Sequence, residues 1–200
     1  MSAVETIAAL EPALDLRSRI LREATRLFAE HGYNATSVRE LVEAAGCTKP
    51  ALYYYFENKE AVFLEAIRDA TDAMTSIITE TEAIAGPVRG QLEEGIHIFF
   101  ETLGDHAMRM RLLMRAELQP DEDQPVFDFD SVRGRHVSMI EDILRSGVAT
   151  GEIRPDVDVT DAALALAGMV DQRLRLWLLG EAMPSDVAPR IIRIFFHGVG

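Results

Sequence analysis

Residues 36–56 constrain the fold more than any other stretch, because their periodicity predicts two short helices around a tight turn. The first helix has an apolar stripe at helical spacing, formed by Val38, Leu41, Val42 and Ala45. Gly46 follows where a left-handed residue would end that helix. Thr48 is a favourable N-cap for the second helix, whose first turn tolerates Pro50. This spacing predicts a helix-turn-helix.

The second helix has one inward and one outward face. Leu52 and Phe56 are four residues apart and are expected to point into a core. At roughly 100° per residue, Tyr54 lies opposite them, with Tyr53 and Tyr55 on its flanks. In a helix-turn-helix the outward helix is the one that enters the major groove of DNA.

The chemistry of the outward face suggests how it would read DNA. Lys49 can reach a guanine edge or a phosphate, whereas Pro50 and Ala51 can offer only apolar contact to a thymine methyl. Tyr53 and Tyr54 are expected to hydrogen-bond phosphates, which set the register. The complete set predicted to contact DNA is Thr36, Arg39, Thr48, Lys49, Pro50, Ala51, Tyr53, Tyr54 and Lys59.

The net charge of −13 opposes DNA binding, but it is unevenly distributed. Residues 1–60 carry seven Lys and Arg against nine Asp and Glu, a net of −2, which leaves −11 for the rest. Both lysines of the protein, Lys49 and Lys59, lie within or beside the second helix. We therefore expect modest affinity with a strong dependence on salt.

The remaining periodicity is helical throughout and predicts an all-α fold. Ser37 and Glu40 predict a capping box at the start of the first helix of residues 36–56. Helix ends are expected at Gly32, at Gly86-Pro87, before Gly104-Asp105, at Gln119-Pro120 and at residues 147–151. Residues 1–14 show no sustained period and are predicted to be a loose arm. The last helix, from about Ser185, has two apolar faces and therefore needs a second partner, most simply another copy of the chain.

Other classes of function have little support in the sequence. The acidic loop at residues 121–130 fits a solvated connection better than a metal site built from Asp128 and Asp130. The single cysteine, Cys47, is expected to pack as a small apolar side chain. We predict no catalytic residues, no metal and no cofactor. No secretion signal or membrane-spanning run is evident, which favours a cytoplasmic protein that does not enter the membrane.

Together these features resemble the tetracycline-repressor (TetR) family of bacterial one-component regulators. The resemblance rests on TSVR at residues 36–39, AG at 45–46, LYYYF at 52–56 and KE at 59–60, and more weakly on GEIRPD at 151–156. It is specific over roughly residues 15–65. Departures inside the motif are Val42, Cys47, Pro50 and Ala51, where Ala, Val, Gly and Thr are more usual.

The resemblance implies a homodimer of about nine helices per chain. Residues 15–62 would form the DNA-binding domain, and residues 63–200 would form a ligand-binding and dimerisation domain. The last two helices of each subunit would pair with those of the partner. On that basis the dimer interface is expected to contain Leu166, Val170, Leu174, Ile191, Ile194 and Phe195.

The body of the protein contains many methionine and aromatic residues, which suit an adaptable apolar cavity. The candidate lining residues are His97, Phe100, Met110, Met114, His136, Met139 and Trp177. Taken one by one, each of them is better explained by ordinary core packing.

The predicted function is a transcriptional repressor that binds double-stranded operator DNA and is released by a small, largely apolar ligand. One alternative is a dimeric helical ligand-binding or scaffold protein without DNA binding, which the acidity would suit. Another is an all-helical enzyme that uses His97, His106 or His136 with nearby acids.

Overall fold

Eight α-helices form the secondary structure of this computed structural model, which describes residues 15–82 and 84–197. In chain order they are α1 (Leu16–His31), α2 (Val38–Ala44), α3 (Lys49–Tyr55), α4 (Lys59–Glu82), α5 (Val88–Leu118), α6 (Phe129–Thr150), α7 (Val159–Leu178) and α8 (Val187–His197). The described residues contain no strand, so the all-α prediction is confirmed, with a helix count close to the expected nine. The arm predicted at residues 1–14 lies outside the described residues.

The predicted helix ends around the turn are confirmed in atomic detail. Ser37 and Glu40 form a capping box: Ser37 Oγ accepts from Glu40 N at 3.2 Å, and Glu40 Oε2 accepts from Ser37 N at 2.7 Å. Gly46 has a φ of 60°, the left-handed conformation that ends α2. Thr48 Oγ1 then accepts from Ala51 N at 3.3 Å and caps α3. Local capping chemistry thus determines both helix ends at the turn.

The chain divides into two compact units. The first comprises Met1–Thr71 and Met108–Phe127, and the second comprises Asp72–Ala107 and Asp128–Gly200. Helices α4 and α5 therefore each contribute residues to both units. The boundary expected after residue 62 falls inside α4, whose first turns belong to the first unit.

The core of the first unit forms around α1. The rings of Phe28 and Phe63 lie edge to face with centroids 5.1 Å apart, and Tyr33 packs on Phe63 at the same distance. Leu41 from α2 and Leu52 from α3 are completely buried. Because α2 and α3 each bury a leucine, the turn between them is held against this core.

The helix end predicted before Gly104 is wrong, because α5 continues through Gly104 and ends at Leu118. Glycine in a helix interior costs only about 1 kcal/mol relative to alanine. Leu103 on one side of Gly104, and Met110 and Leu112 on the other, are almost completely buried. Burial of large apolar side chains on both sides outweighs the local cost of the glycine.

The second unit depends on the turn at residues 151–156. Glu152 Oε2 accepts from Val88 N at 2.8 Å and so caps the start of α5. A Cβ placed on Gly147 would lie 2.9 Å from side-chain atoms of both Ile153 and Val88, so this close approach requires glycine. The core of the unit includes Leu144 and Leu166, both almost completely buried.

The acidic loop is used for helix capping. Asp128 accepts from Ser131 N at 3.0 Å and caps α6, and Asp130 forms an ion pair with Arg133. Across the described residues there is no group of three or more His, Cys, Asp or Glu side chains suited to holding a metal ion. Helix capping and ion pairing thus account for Asp128 and Asp130.

Candidate functional site

Helix α3 presents a polar and aromatic surface to solvent. Leu52 and Phe56 are buried as expected, whereas Tyr53, Tyr54 and Tyr55 are exposed. Tyr54 is the most exposed, at 82%, and its ring meets that of Tyr55 edge to face. This arrangement is the one expected of a helix whose outward face contacts another molecule.

The first turn of α3 is also open. Thr48, Lys49 and Pro50 are exposed, and Ala51 is half-buried. No described residue pairs with the Lys49 ammonium. Arg39, on α2, is exposed too, and its Nε donates to Glu43 Oε1 at 2.7 Å. An exposed pair of this kind contributes little to stability, so Arg39 can exchange its partner for a phosphate.

Two residues predicted to contact DNA have internal roles instead, and those predictions are corrected. The Thr36 side chain is completely buried, and its hydroxyl donates to Gly32 O at 2.8 Å. Lys59 Nζ donates to Tyr33 O at 2.9 Å and to Thr36 O at 3.2 Å, and lies 3.9 Å from the centroid of the Tyr33 ring. Burial lowers the pKa of Lys59, with Asp121 and Asp123 acting in the opposite direction. Both residues brace the turn between α1 and α2.

Cys47 packs beside the turn. Its side chain is half-buried, and burial raises the pKa of the thiol. A raised pKa keeps the thiol protonated near neutral pH, and the thiolate is the reactive form. This environment agrees with a packing role.

The end of α5 and the loop after it support the α1–α2 turn, a role with no local signal in the sequence. Arg115 donates from its guanidinium to Glu30 O at 3.3 Å and to His31 O at 3.0 Å, the carbonyls of the last turn of α1. Asp121 Oδ2 accepts from Asn34 N at 2.9 Å. These partners are more than 80 positions apart in sequence, so no periodicity could identify them.

Gly32 allows this close packing. It has a φ of 89°, and a Cβ placed there would lie 2.6 Å from Asp121 Oδ2 and 2.7 Å from Arg115 Nη2. We predict that Gly32→Ala lowers the free energy of unfolding by about 1–3 kcal/mol, measured by urea denaturation. Gly90→Ala is the matched control, because Gly90 is helical with open space around its Cα. That control should be neutral or stabilising by up to about 1 kcal/mol. Equal effects of the two substitutions would contradict the packing described here.

A small cavity of about 50 Å³ lies in the second unit. Its lining is apolar apart from two residues, and it consists of Ile77, Gln91, Leu92, Gly95, Ile96, Phe99, His136, Met139, Ile140, Ile143, Leu166 and Val170. This volume is room for a few water molecules, whereas sites for drug-sized ligands measure about 300–1,000 Å³. A larger ligand would have to widen the cavity by moving flexible side chains such as Met139.

Only His136 and Met139 of the predicted pocket residues line this cavity. His97 is exposed, and Phe100 and Trp177 are half-buried away from the lining. Met110 and Met114 belong to the first unit. Those five predictions are corrected, because helical spacing showed which residues are apolar but not which of them face the same space.

His136 is one of the two polar residues that line the cavity. Burial lowers its pKa, opposed by the nearby carboxylate of Asp171. Burial likewise raises the pKa of Asp171, opposed by His136, Arg133 and Arg175. His136 has no hydrogen-bond partner among the side chains that the structure describes. Asp171, by contrast, interacts electrostatically with the two guanidinium groups of Arg133 and Arg175.

The predicted dimer residues fall into two groups. Leu166, Val170, Leu174 and Ile191 are buried inside the protomer, and the first two line the cavity, so these four predictions are corrected. The helix that carries Leu166, Val170 and Leu174 is apolar nearly all round, so its pattern does not show which face meets the core. Ile194 remains 45% exposed, and Phe195 is half-buried.

Helices α7 and α8 retain exposed apolar side chains outside that core. Leu164 is 51% exposed, and the small residues Ala165 and Gly168 beside it are also exposed. On α8, Ile194 is likewise a large apolar residue that is exposed, and so is Leu179, just after α7. Small residues next to large apolar ones permit close helix packing.

Among the described helices, none has the length and apolar character that crossing a membrane requires.

Comparison with known proteins agrees with this geometry. Residues 20–66 match the family model described as bacterial regulatory proteins, tetR family. The HTH-type transcriptional repressor KstR2 of Mycolicibacterium smegmatis is 33% identical over 147 residues, which cover 72% of this chain and 70% of that protein.

Solved structures show the same fold. The TetR family transcriptional regulator PfmR from Thermus thermophilus superposes with a TM-score of 0.74 at 28% identity, over 91% of this chain and 99% of that one. The regulator FadR from Bacillus subtilis, solved with stearoyl-CoA, gives a TM-score of 0.71 at 21% identity, over 92% and 99% of the two chains. The chain belongs to the tetR family of bacterial regulatory proteins and is a helix-turn-helix, DNA-binding transcriptional regulator.

Proposed function

We propose that the protein is a repressor that binds its operator as a homodimer and leaves it when a small, largely apolar ligand occupies the second unit. The observation that carries this proposal is the outward face of α3, which exposes Lys49 and Tyr54 on a helix anchored by the buried Leu52. An exposed tyrosine and a cation without an internal partner contribute little to the stability of the protomer. Contact with a nucleic acid accounts for both.

The proposed reading of DNA separates positioning from base recognition. Tyr53, Tyr54, Thr48 and Arg39 contact phosphates and set the register of the helix. Lys49 donates to a guanine edge or to a phosphate. The next two residues, Pro50 and Ala51, form an apolar step that prefers a thymine methyl.

Charge makes the two DNA-binding domains of a dimer, here called the heads, depend on each other for binding. Lys49 is the only cation on α3, and the whole chain carries a net charge of −13. Long-range attraction to DNA is therefore weak, and a single head has low affinity. Tight binding follows from two heads that fit two half-sites at the same time. The exposed apolar residues Leu164 and Ile194 supply the proposed dimer surface.

The proposed effector enters the cavity around His136 and Met139. An apolar lining with two polar residues suits a molecule with an apolar body and a polar group. FadR, whose solved structure contains stearoyl-CoA, offers an example of a related fold with a ligand of that character. The cavity is small here, so binding of a larger ligand requires a change of conformation, which can be coupled to release from DNA.

A gel shift with DNA from upstream of the protein's own gene tests this function. We expect a retarded complex at low salt that persists at physiological salt over an excess of scrambled DNA. The double variant Lys49→Ala/Tyr54→Ala is the matched control and should give no specific shift. Absence of a wild-type shift at both salt concentrations would favour the scaffold alternative.

A further inference from the structure

We infer that the cavity selects effectors with a neutral oxygen group, such as an ester or thioester carbonyl, a ketone or a hydroxyl, and rejects free carboxylates. This inference rests on the proposed function, because it specifies the ligand of that same cavity. It begins from His136, the lining residue whose ring nitrogens have no hydrogen-bond partner among the described residues. A half-buried polar group without a partner carries an energetic cost that a ligand atom can remove.

The second polar lining residue is Gln91. Its side-chain nitrogen donates to Gly86 O at 2.6 Å, which fixes the amide and leaves the amide oxygen as an acceptor. A neutral imidazole can either donate or accept, according to its tautomer. The two polar residues of the lining therefore offer hydrogen bonds of both kinds to a ligand.

The lack of positive charge in the lining disfavours an anion. The lining contains no lysine or arginine. Burial lowers the pKa of His136, so the ring is neutral near neutral pH. Asp171, which acts electrostatically on His136, lies outside the lining. The cations that act on Asp171, Arg133 and Arg175, do not line the cavity.

The remainder of the lining explains why the ligand must also be apolar. Ten of the twelve lining positions carry aliphatic or aromatic side chains or a glycine, and Leu166 and Val170 are buried. An ionised group that moves from water into this cavity finds no compensating charge, so its desolvation costs much free energy. A neutral oxygen has a much smaller desolvation cost and can be matched by His136.

Two probes with the same carbon chain test the inference: methyl octanoate, which has a neutral carbonyl, and octanoate, which is ionised near neutral pH. Isothermal titration calorimetry with the full-length protein measures binding directly. We expect the ester to bind about 10- to 100-fold more tightly than the anion. Octanoate binding as tightly as the ester, or no binding of either probe, would overturn the inference.

Variants of His136 show whether that ring makes the contact. His136→Leu should lower the affinity for methyl octanoate about tenfold or more, whereas His136→Gln, which keeps a neutral donor and acceptor, should retain it. His97→Leu is the matched control, because His97 is exposed on α5 and does not line the cavity. Full ester affinity in His136→Leu, with the variant folded as judged by thermal unfolding, would also overturn the inference.

The gel shift without any probe keeps the two proposals separate. Specific operator binding together with no preference between the probes would refute the neutral-oxygen inference and leave the repressor function intact. Selective ester binding together with no operator complex would refute the repressor function alone.

Discussion

Replacing Lys49 or Tyr54 with alanine is expected to remove most of the operator affinity while leaving the fold unchanged. Each base contact is worth about 1–3 kcal/mol, and a dimer loses it twice, so Lys49→Ala should weaken binding by roughly 30-fold or more. Both side chains are exposed, so their removal should change the free energy of unfolding by no more than about 0.5 kcal/mol. Fluorescence anisotropy and thermal unfolding measure the two effects.

Leu52→Ala is the control for this result, because Leu52 lies on the inward face of the same helix and is completely buried. It should lower the free energy of unfolding by about 2–5 kcal/mol. If Lys49 contacts a phosphate, Lys49→Ala should also reduce the slope of log affinity against log salt by about 2, one for each head. Destabilisation by Tyr54→Ala as large as that of Leu52→Ala would show that Tyr54 is structural.

Introducing a charge at Ile194 is expected to dissociate the dimer. In a two-fold symmetric interface the same substitution occurs twice, so Ile194→Glu buries two carboxylates without partners. Sedimentation velocity should show monomers, and operator affinity should fall about 10²- to 10⁴-fold because the two heads no longer bind as one molecule.

Ser138→Glu is the matched control for Ile194→Glu. Ser138 is exposed on α6, outside the proposed interface, so the added charge should leave the dimer intact. Leu164→Glu, on α7, should reproduce the monomer, because Leu164 belongs to the same proposed surface. A dimer that persists in both Ile194→Glu and Leu164→Glu would place the interface elsewhere.

The features that could be predicted from the sequence are those determined by neighbouring residues. The Ser37–Glu40 box, the Thr48 cap and the left-handed Gly46 depend on backbone groups within three positions, so their residue types are sufficient evidence. The two faces of α3 follow from helical geometry, because Leu52 points into the core and Tyr54 lies opposite it.

The features that could not be predicted depend on contacts between distant residues. Thr36 and Lys59 resemble phosphate ligands in sequence, but both bond to backbone carbonyls of the α1–α2 turn. The guanidinium of Arg115 reaches the last carbonyls of α1 from more than 80 residues away. Sequence spacing gave no indication of any of these partners.

The cavity and the dimer surface show the same limit. Periodicity identifies an apolar residue but not what lies opposite it, and α7 is apolar on several faces. Leu166 and Val170 were predicted to face a partner subunit, and they line the cavity of their own protomer instead. Exposed residues of α7 that the periodicity did not select, such as Leu164, became candidates for the interface only in the structure.

If the spacing of two weak heads controls operator binding, as we propose, a change in the distance between the half-sites should abolish that binding. Once footprinting has located the two half-sites, about 5 bp, roughly half a helical turn, can be inserted between them. We predict that specific affinity for this DNA falls to the level of scrambled DNA, since the two heads can no longer reach both half-sites on one face. Unchanged affinity for the respaced operator would show that each head binds independently and would contradict the claim.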